Sequence, residues 1–167
     1  MADTARERTT SWDDPSISAA QVGVEPGLAL LEAVRDGRLP AAPIARTLGF
    51  ELDLVEDGRA VFSIAPGEHH YNPIGSVHGG VFATLLDSAA GCAVHSTLPA
   101  GVGYTSIDLN VKFLRGMTAS TGRATCEGRV VNRGRRLALA ESTLRDSRGR
   151  LLATATSSCL IFEIPSD

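Results

Sequence analysis

Cysteine, aromatic residues and long hydrophobic runs are all scarce in this sequence of 167 residues. The three cysteines, Cys92, Cys126 and Cys159, lie inside apolar or alternating segments. An odd, scattered set of this kind is neither a disulfide framework nor a paired metal knuckle, so we expect a reducing compartment, the cytoplasm. No stretch approaches the roughly 20 apolar residues that span a bilayer, and the polar N-terminus lacks the apolar core of a signal peptide. We therefore expect a soluble protein without a membrane partner.

The sequence also has no excess of positive charge. Sixteen Lys and Arg residues stand against nineteen Asp and Glu residues, so the formal net charge is −3. No overall basic field is available to bind a nucleic-acid backbone or an anionic membrane. The segment before Ala45 is acidic and contains one convincing helix, whereas a helix-turn-helix module needs two or more. We therefore predict no nucleic-acid partner.

Length and patterning predict one domain preceded by a polar segment. Residues 1–26 are polar and have no sustained period, which is typical of a mobile tail. Apolar residues then recur at helical spacing from Leu28 to Val34 and predict a short amphipathic helix. We place the tail and this helix in residues 1–42 and the domain in residues 43–167.

Apolar patterning within the domain predicts strands around one long helix. Asp57-Gly58 between two apolar runs is a strong hairpin signal, and the strict alternation from Tyr104 to Phe113 predicts one half-buried strand. In chain order, the predicted elements are strands near 50–55 and 61–65, a helix from 77 to about 96, a strand at 104–113, and strands near 121–132, 135–145 and 150–163. Because helices do not alternate with strands, we predict an α+β fold with an antiparallel sheet of five to six strands.

The predicted helix is apolar on nearly all sides and must therefore be buried. One antiparallel sheet covers only one side of it, so the other side needs curvature of the sheet, the N-terminal helix or another subunit. Asp87 interrupts the apolar pattern about two turns into the helix. An unpaired buried carboxylate costs several kcal/mol, so Asp87 is exposed, hydrogen-bonded or part of a cavity wall. In an apolar cavity it would suit general-base or nucleophilic chemistry.

The sequence His78-Gly79-Gly80 stands where this helix begins. Two adjacent glycines can simply let the backbone pass close to a strand. Free backbone N–H groups at the positive end of a helix dipole can also form an oxyanion site, and glycine lets a carbonyl oxygen reach the amide. We count Gly80 among the candidate substrate-binding residues for this reason.

The same residues belong to a longer motif. The pattern N-x-x-G-x-x-H-G-G-x-x-x-x-L-x-D runs from Asn72 to Asp87, and the segment S-I-D-L-N-V follows from Ser106 to Val111. Over about residues 44–164 the sequence resembles the hotdog-fold acyl-CoA thioesterases of the PaaI type. The resemblance implies a curved antiparallel sheet wrapped around the central helix, and hydrolysis of an acyl-CoA to a free acid and CoA. It implies no separate cofactor, because CoA is part of the substrate.

The resemblance also implies a role for each matching residue. Asp87 would be the general base or the nucleophile, and which of the two stays open. Gly79 would donate its backbone N–H to the thioester oxygen, while His78 shapes that turn. Asn72 would orient the substrate or the attacking water, and Ser106 would hold that water.

Gly79 and Asp87 are eight residues apart on one predicted helix, which corresponds to about 12 Å of rise. One thioester cannot touch both residues of a single chain. If both act on the same carbonyl, one of them comes from a second subunit whose helix runs antiparallel across a two-fold axis. We therefore expect a dimer with its active sites at the interface, or a dimer of such dimers.

Basic residues are concentrated near the C-terminal end of the sequence. Seven Arg residues lie between Arg129 and Arg150, and arginine suits the phosphates of CoA. The candidates for CoA binding are Arg133, Arg135, Arg136 and, at the end of the alternating strand, Arg115. The acyl group itself, small aromatic or of short to medium length, is not predicted by the sequence.

Two other functions stay open. The segment from His69 to Pro73 is similar to part of the hotdog enoyl-CoA hydratases, although Gly75 stands where their histidine would be. A hotdog domain that binds acyl-CoA without hydrolysing it is the other alternative, and the carboxylate of Asp87 argues against it. Two adjacent histidines without a third ligand in register do not predict a metal site.

Overall fold

The computed structural model describes residues 5–165. Residues 1–4 of the predicted N-terminal segment and residues 166–167 of the predicted domain lie outside the described residues. Its helices are α1 (Pro15–Ala19), α2 (Gly27–Arg35), α3 (Pro43–Leu48) and α4 (Gly79–His95). Its strands are β1 (Phe50–Glu56), β2 (Arg59–Ile64), β3 (Val102–Ser106), β4 (Asn110–Phe113), β5 (Ala124–Arg133), β6 (Leu137–Arg145) and β7 (Leu151–Glu163). Single 3₁₀ turns occupy Glu68–His70 and Ala119–Thr121.

All seven strands form one antiparallel sheet that wraps around α4. The strand order is β1-β2-β5-β6-β7-β3, and β4 also pairs with β7. The predicted α+β hotdog fold is confirmed. The predicted number of five to six strands is wrong, because the segment from Tyr104 to Phe113 forms two strands rather than one.

The division of this segment has a local cause in its pairing with β7. Ser106 pairs with Cys159 and Asn110 with Thr156, so four residue steps on one side match three on β7. The extra residue between Ser106 and Asn110 therefore has no place in the regular pairing with β7. Asp108 fills the gap, because its side-chain Oδ1 accepts the N–H of Ser158 at 2.9 Å. The alternation of polar and apolar residues therefore continues where the regular pairing does not.

Helix α4 has 17 residues and packs closely against a row of small side chains in the sheet. Ala60, Gly128, Ser142 and Ala155 are neighbours on β2, β5, β6 and β7. At Gly128 the helix backbone is so near that a Cβ atom would lie 2.1 Å from the carbonyl oxygen of Ala89. The prediction that this helix is buried is confirmed. Within residues 5–165, no helix is both long and apolar enough to cross a membrane.

Replacement of Gly128 by Ala should therefore destabilise the fold. The added methyl group overlaps the backbone of α4, which has no flexible side chain to move aside, so we expect a loss of about 3 kcal/mol in the free energy of unfolding. Urea unfolding measures the loss. The matched control is Gly116→Ala, since a Cβ at Gly116 meets nothing within 4 Å, and it should stay within about 0.5 kcal/mol of the wild type. Equal unfolding midpoints for the two variants would contradict the close packing.

The N-terminal segment packs against the domain. Helix α2 lies where we predict a short amphipathic helix, and its residues Leu30 and Leu31 are buried against Val55 of β1. Residues 5–26 differ from the mobile tail that we predicted, because α1 forms within them and Gly23 accepts the N–H of Gly101 at 2.8 Å. These contacts are made by backbone groups and short polar side chains, which apolar periodicity does not reveal.

Glycine fixes the junction between α2 and the end of α4. The N–H of Gly27 donates to the carbonyl oxygen of Leu98 at 2.9 Å. A Cβ at Gly27 would lie 2.0 Å from the carbonyl oxygen of His95. The N-terminal segment therefore covers part of the face of α4 that the sheet leaves open.

Candidate active site

The first turn of α4 presents a free backbone amide. His78 is the N-cap residue, and its side-chain Nδ1 accepts the N–H of Gly80 at 2.8 Å. Among residues 5–165, the N–H of Gly79 has no acceptor, and Gly79 is partly exposed. This amide lies at the positive end of the helix dipole, where a developing negative charge is stabilised. The amide of Gly80, in contrast, is already bonded to His78.

An aromatic ring flanks this free amide. A Cβ at Gly79 would lie 3.2 Å from the ring of Phe113, which is itself 57% exposed on β4. Phe113 packs edge-on against Phe82 of α4, with the ring centroids 5.8 Å apart. Glycine therefore leaves room beside the amide that any side chain would reduce.

Asn72 organises the loop that leads into α4. Its Oδ1 accepts the backbone N–H groups of Ile74 at 3.1 Å and Ser76 at 3.2 Å, and its Nδ2 donates to the hydroxyl of Ser76 at 3.1 Å. The carboxamide oxygen and one N–H of the carboxamide are thus occupied within five residues. The direct contact with substrate or water that we predicted for Asn72 stays a prediction, while its bonds in this structure hold the loop.

Asp87 meets Ser106 across the gap between α4 and β3. The hydroxyl of Ser106 donates to Oδ1 of Asp87 at 3.0 Å. The other carboxylate oxygen accepts no hydrogen bond from the described part of the chain, and Asp87 is half-buried. A carboxylate oriented by a hydroxyl group and with one oxygen available can take a proton from water or attack a carbonyl carbon.

Asp87 and Ser106 line a cavity of about 820 Å³ between the N-terminal segment and α4. Its walls are mainly apolar, with side chains from α1, α2, α3 and β1. Cys92, His95 and Tyr104 continue the wall beyond Asp87. Burial raises the pKa of Cys92 to about 12, so this thiol is protonated at neutral pH and is not a nucleophile.

A single chain does not bring all the predicted site residues together. Gly79 and Asp87 both lie on α4, eight residues and about 12 Å of rise apart. The cavity that contains Asp87 and Ser106 is not lined by Asn72, His78 or Gly79. The amide of Gly79 and the carboxylate of Asp87 therefore lie in two separate places on one protomer.

The seven C-terminal arginines do not form one cluster in space. Arg129 lies on β5 opposite the middle of β6. The other six divide between the two ends of β6, which has nine residues and a length of about 30 Å. Arg133, Arg135 and Arg136 lie at the β5–β6 turn, beside the C-terminal end of α4, where Ala138 packs on Val94. All three arginines are exposed, and the described residues offer their guanidinium groups no partner.

The remaining arginines of this set and Arg115 are engaged in local bonds, except Arg148, whose side chain is exposed. Arg129 pairs with the carboxylate of Glu127. Arg150 pairs with the carboxylate of Asp146 at 2.7 Å, and Arg145 donates to the carbonyl oxygen of Gly149 at 3.0 Å. Arg115 donates to the carbonyl oxygen of Leu151 at 2.8 Å. Only the group at the β5–β6 turn is therefore both clustered and available for a phosphate.

One of the two loop histidines, His70, has structural partners. Nδ1 of His70 accepts the N–H of Gly67 at 3.0 Å, and its Nε2 lies 2.7 Å from the carbonyl oxygen of Leu48. His70 is buried and connects the 3₁₀ turn to the end of α3. Both of its ring nitrogens are thus occupied, so His70 holds this loop in place. In residues 5–165, no three His, Cys, Asp or Glu side chains are arranged to hold a metal ion.

Known proteins are similar to this chain in both sequence and structure. The thioesterase superfamily model matches residues 74–153, a range that contains His78, Gly79, Asp87 and Ser106. A phenylacetic acid degradation-related protein from Ralstonia eutropha JMP134 is 30% identical, with a TM-score of 0.70 over 77% of this chain and 97% of that one.

Two curated relatives are also similar to this chain. The 1,4-dihydroxy-2-naphthoyl-CoA hydrolase of Listeria monocytogenes is 27% identical over 109 residues, which are 65% of this chain and 87% of that protein. A protein of Halobacterium salinarum that bears the name of an esterase is 37% identical over 99 residues, or 56% of this chain. The match spans 64% of the Halobacterium protein, slightly less than two thirds of its length.

Proposed function

The chain belongs to the thioesterase superfamily, and we propose that it hydrolyses the thioester of an acyl-CoA to a free acid and CoA. The observation that carries the proposal is the carboxylate of Asp87, oriented by Ser106 on the wall of a mainly apolar cavity. An acyl-CoA offers such a site an apolar acyl group and an electrophilic carbonyl carbon together. We propose a small aromatic or short- to medium-chain acyl group, as for the PaaI-type enzymes that the sequence resembles.

The free amide of Gly79 and the carboxylate of Asp87 would act on the same carbonyl. The thioester oxygen accepts the N–H of Gly79, which stabilises the negative charge that develops as the carbonyl carbon is attacked. Either Asp87 attacks that carbon itself, or it takes a proton from a water molecule that does so. The C–S bond then breaks, CoA leaves as the thiolate, and water completes the carboxylic acid.

A second copy of the chain would bring the amide of Gly79 and the carboxylate of Asp87 together. If the two α4 helices run antiparallel, Asp87 of one copy can lie beside Gly79 of the other, and a two-fold axis produces two such sites. The same arrangement carries the C-terminal end of one helix about 12 Å past Gly79 of the other. We propose Arg133, Arg135 and Arg136 of the β5–β6 turn as the residues that bind the phosphates of CoA, because their guanidinium groups are exposed and clustered.

A complementation experiment tests the shared site. Co-expressed Asp87→Asn and Gly79→Pro chains with different affinity tags form heterodimers in which one of the two sites has both wild-type groups. We expect purified heterodimers to recover about half of the wild-type activity, while each parent stays nearly inactive. Heterodimers no more active than their parents would show that each site belongs to a single chain.

A thiol-release assay tests the reaction. The panel includes phenylacetyl, hydroxybenzoyl, short-chain and medium-chain acyl-CoAs, and at least one of them should release CoA. Binding without any hydrolysis across the panel would instead indicate a non-catalytic acyl-CoA-binding protein.

We place residues 43–167 in the catalytic domain and residues 1–42 in the segment that precedes it. We propose that the protein acts in the cytoplasm, where its three free cysteines stay reduced, and that it uses no cofactor beyond the CoA of its substrate. We propose no nucleic-acid or membrane partner, because the net charge of −3 offers no field to attract either.

A further inference from the structure

The cavity wall beyond Asp87 carries two polar groups that the proposed reaction does not use. His95 and Tyr104 both line the cavity, and their ring centroids are 5.4 Å apart. Among residues 5–165, no side chain or backbone group forms a hydrogen bond with the imidazole of His95 or the hydroxyl of Tyr104. His95 is buried and Tyr104 is half-buried, so neither is an ordinary surface residue.

Both groups are neutral at pH 7. Burial lowers the pKa of His95 and raises the pKa of Tyr104 well above its usual value. A neutral imidazole has one donor and one acceptor nitrogen, and a phenol hydroxyl both donates and accepts. Together they match a neutral hydrogen-bonding partner better than a charged one.

Helix α4 makes room for the hydroxyl of Tyr104 with a glycine, Gly91, in its interior. A Cβ at Gly91 would lie 2.7 Å from this hydroxyl oxygen, so an alanine there would collide with it. Glycine in a helix interior lowers helix stability, yet Gly91 stands in the middle of α4. The hydroxyl group therefore lies directly against the helix, and Tyr104 is one of the residues that line the cavity.

The distances along α4 place this polar pair within reach of an acyl group. Gly91 is four residues beyond Asp87 and His95 is eight residues beyond it, which correspond to about 6 Å and about 12 Å of rise. An acyl group whose carbonyl carbon lies at Asp87 and whose chain follows the helix would end beside Tyr104 and His95. An extended chain of eight carbons ends in an oxygen about 10 Å from the carbonyl carbon.

A pure hydrocarbon chain would exclude other hydrogen-bonding partners from His95 and Tyr104 and would form no hydrogen bond with either group. Buried polar groups that lose their hydrogen bonds weaken binding, and a site built around such groups discriminates strongly against ligands that lack the matching group. We propose that the cavity selects acyl groups that carry a hydroxyl or a similar neutral hydrogen-bonding group at their far end, with Tyr104 and His95 as the specificity-determining pair. This inference rests on the proposed acyl-CoA thioesterase function.

The test compares two substrates that differ in one hydroxyl group, 8-hydroxyoctanoyl-CoA and octanoyl-CoA. For the wild type we expect kcat/KM to be at least about tenfold higher for the hydroxylated substrate. In Tyr104→Phe this ratio should fall by about tenfold, because the variant lacks only the hydroxyl group. The matched control is Tyr71→Phe, whose lost hydroxyl accepts the N–H of Ala119 outside the cavity lining, and it should keep the wild-type ratio.

A wild-type ratio of one or below would overturn the inference, as would a ratio that Tyr104→Phe leaves unchanged. Binding separates this failure from failure of the proposed function. The two dissociation constants are measured calorimetrically on the Asp87→Asn variant, where turnover is not needed. Absence of hydrolysis together with a tenfold preference in binding would remove the thioesterase function and retain the selectivity of Tyr104 and His95. Equal dissociation constants would remove the selectivity whatever the reaction is.

Discussion

Replacement of Asp87 by Asn should lower kcat for acyl-CoA hydrolysis by about 10²–10⁴-fold. The amide has the size of the carboxylate, and its oxygen can still accept the hydrogen bond from Ser106. It can neither take a proton from water nor form an anhydride with the acyl group. Release of CoA, followed with a thiol reagent, measures the loss, and a thermal midpoint close to that of the wild type shows that the fold is intact.

The matched control is Asp57→Asn, which makes the same chemical change at an exposed position. Asp57 lies in the β1–β2 turn before Gly58, whose φ of +75° suits glycine, and Asn-Gly is as favourable in such a turn as Asp-Gly. We expect this variant to keep wild-type activity and stability. Full activity of Asp87→Asn would show that this carboxylate is not the reacting group, and the mechanism would need another base.

Replacement of Gly79 by Pro should lower kcat by about 10²–10³-fold, the effect of removing one donor from an oxyanion hole. Gly79 is the first residue of α4, where proline is well tolerated because its missing N–H has no acceptor within the helix. His78 before it already has an extended backbone, with φ of −61° and ψ of 139°, which a following proline requires. The substitution therefore removes the N–H and preserves the helix.

Gly79→Ala separates loss of the amide from crowding of the site. Alanine keeps the N–H but places a methyl group against the ring of Phe113, which is exposed and can shift by a few tenths of an ångström. We expect Gly79→Ala to retain far more of kcat than Gly79→Pro, with its loss mainly in KM. If both variants lose the same activity, the space beside Phe113 matters rather than the amide of Gly79.

The central helix and the candidate functional residues on it could be predicted because their signals are local. The continuous apolar pattern from Val81 to Val94 predicts burial of the helix, and Asp87 stands out because it interrupts that pattern. Glycines and a histidine mark the beginning of the helix, where the free amide lies. Each of these features depends on residues within a few turns of one another, so the sequence motif and the structure agree there.

The strand count and the arginine cluster could not be predicted in the same way. Alternation from Tyr104 to Phe113 depends on which side each residue faces, but division into β3 and β4 depends on the register with β7, about 50 residues away. Arg133 and Arg150 are close in sequence but far apart in space, because the chain between them runs the length of β6. Both features depend on which strands pair and in which register, and sequence periodicity does not identify either.

The sequence alone was sufficient to determine the fold class and the position of the buried helix. It also showed that this helix carries both a free amide and a lone carboxylate. These properties follow from side-chain periodicity and helix geometry. Only the tertiary structure could show that Ser106 reaches Asp87, that the N-terminal segment closes a cavity over α4, and that Tyr104 lies against Gly91 beside His95. These contacts join residues that are far apart in the chain, and close packing of the helix against the sheet determines which of them meet.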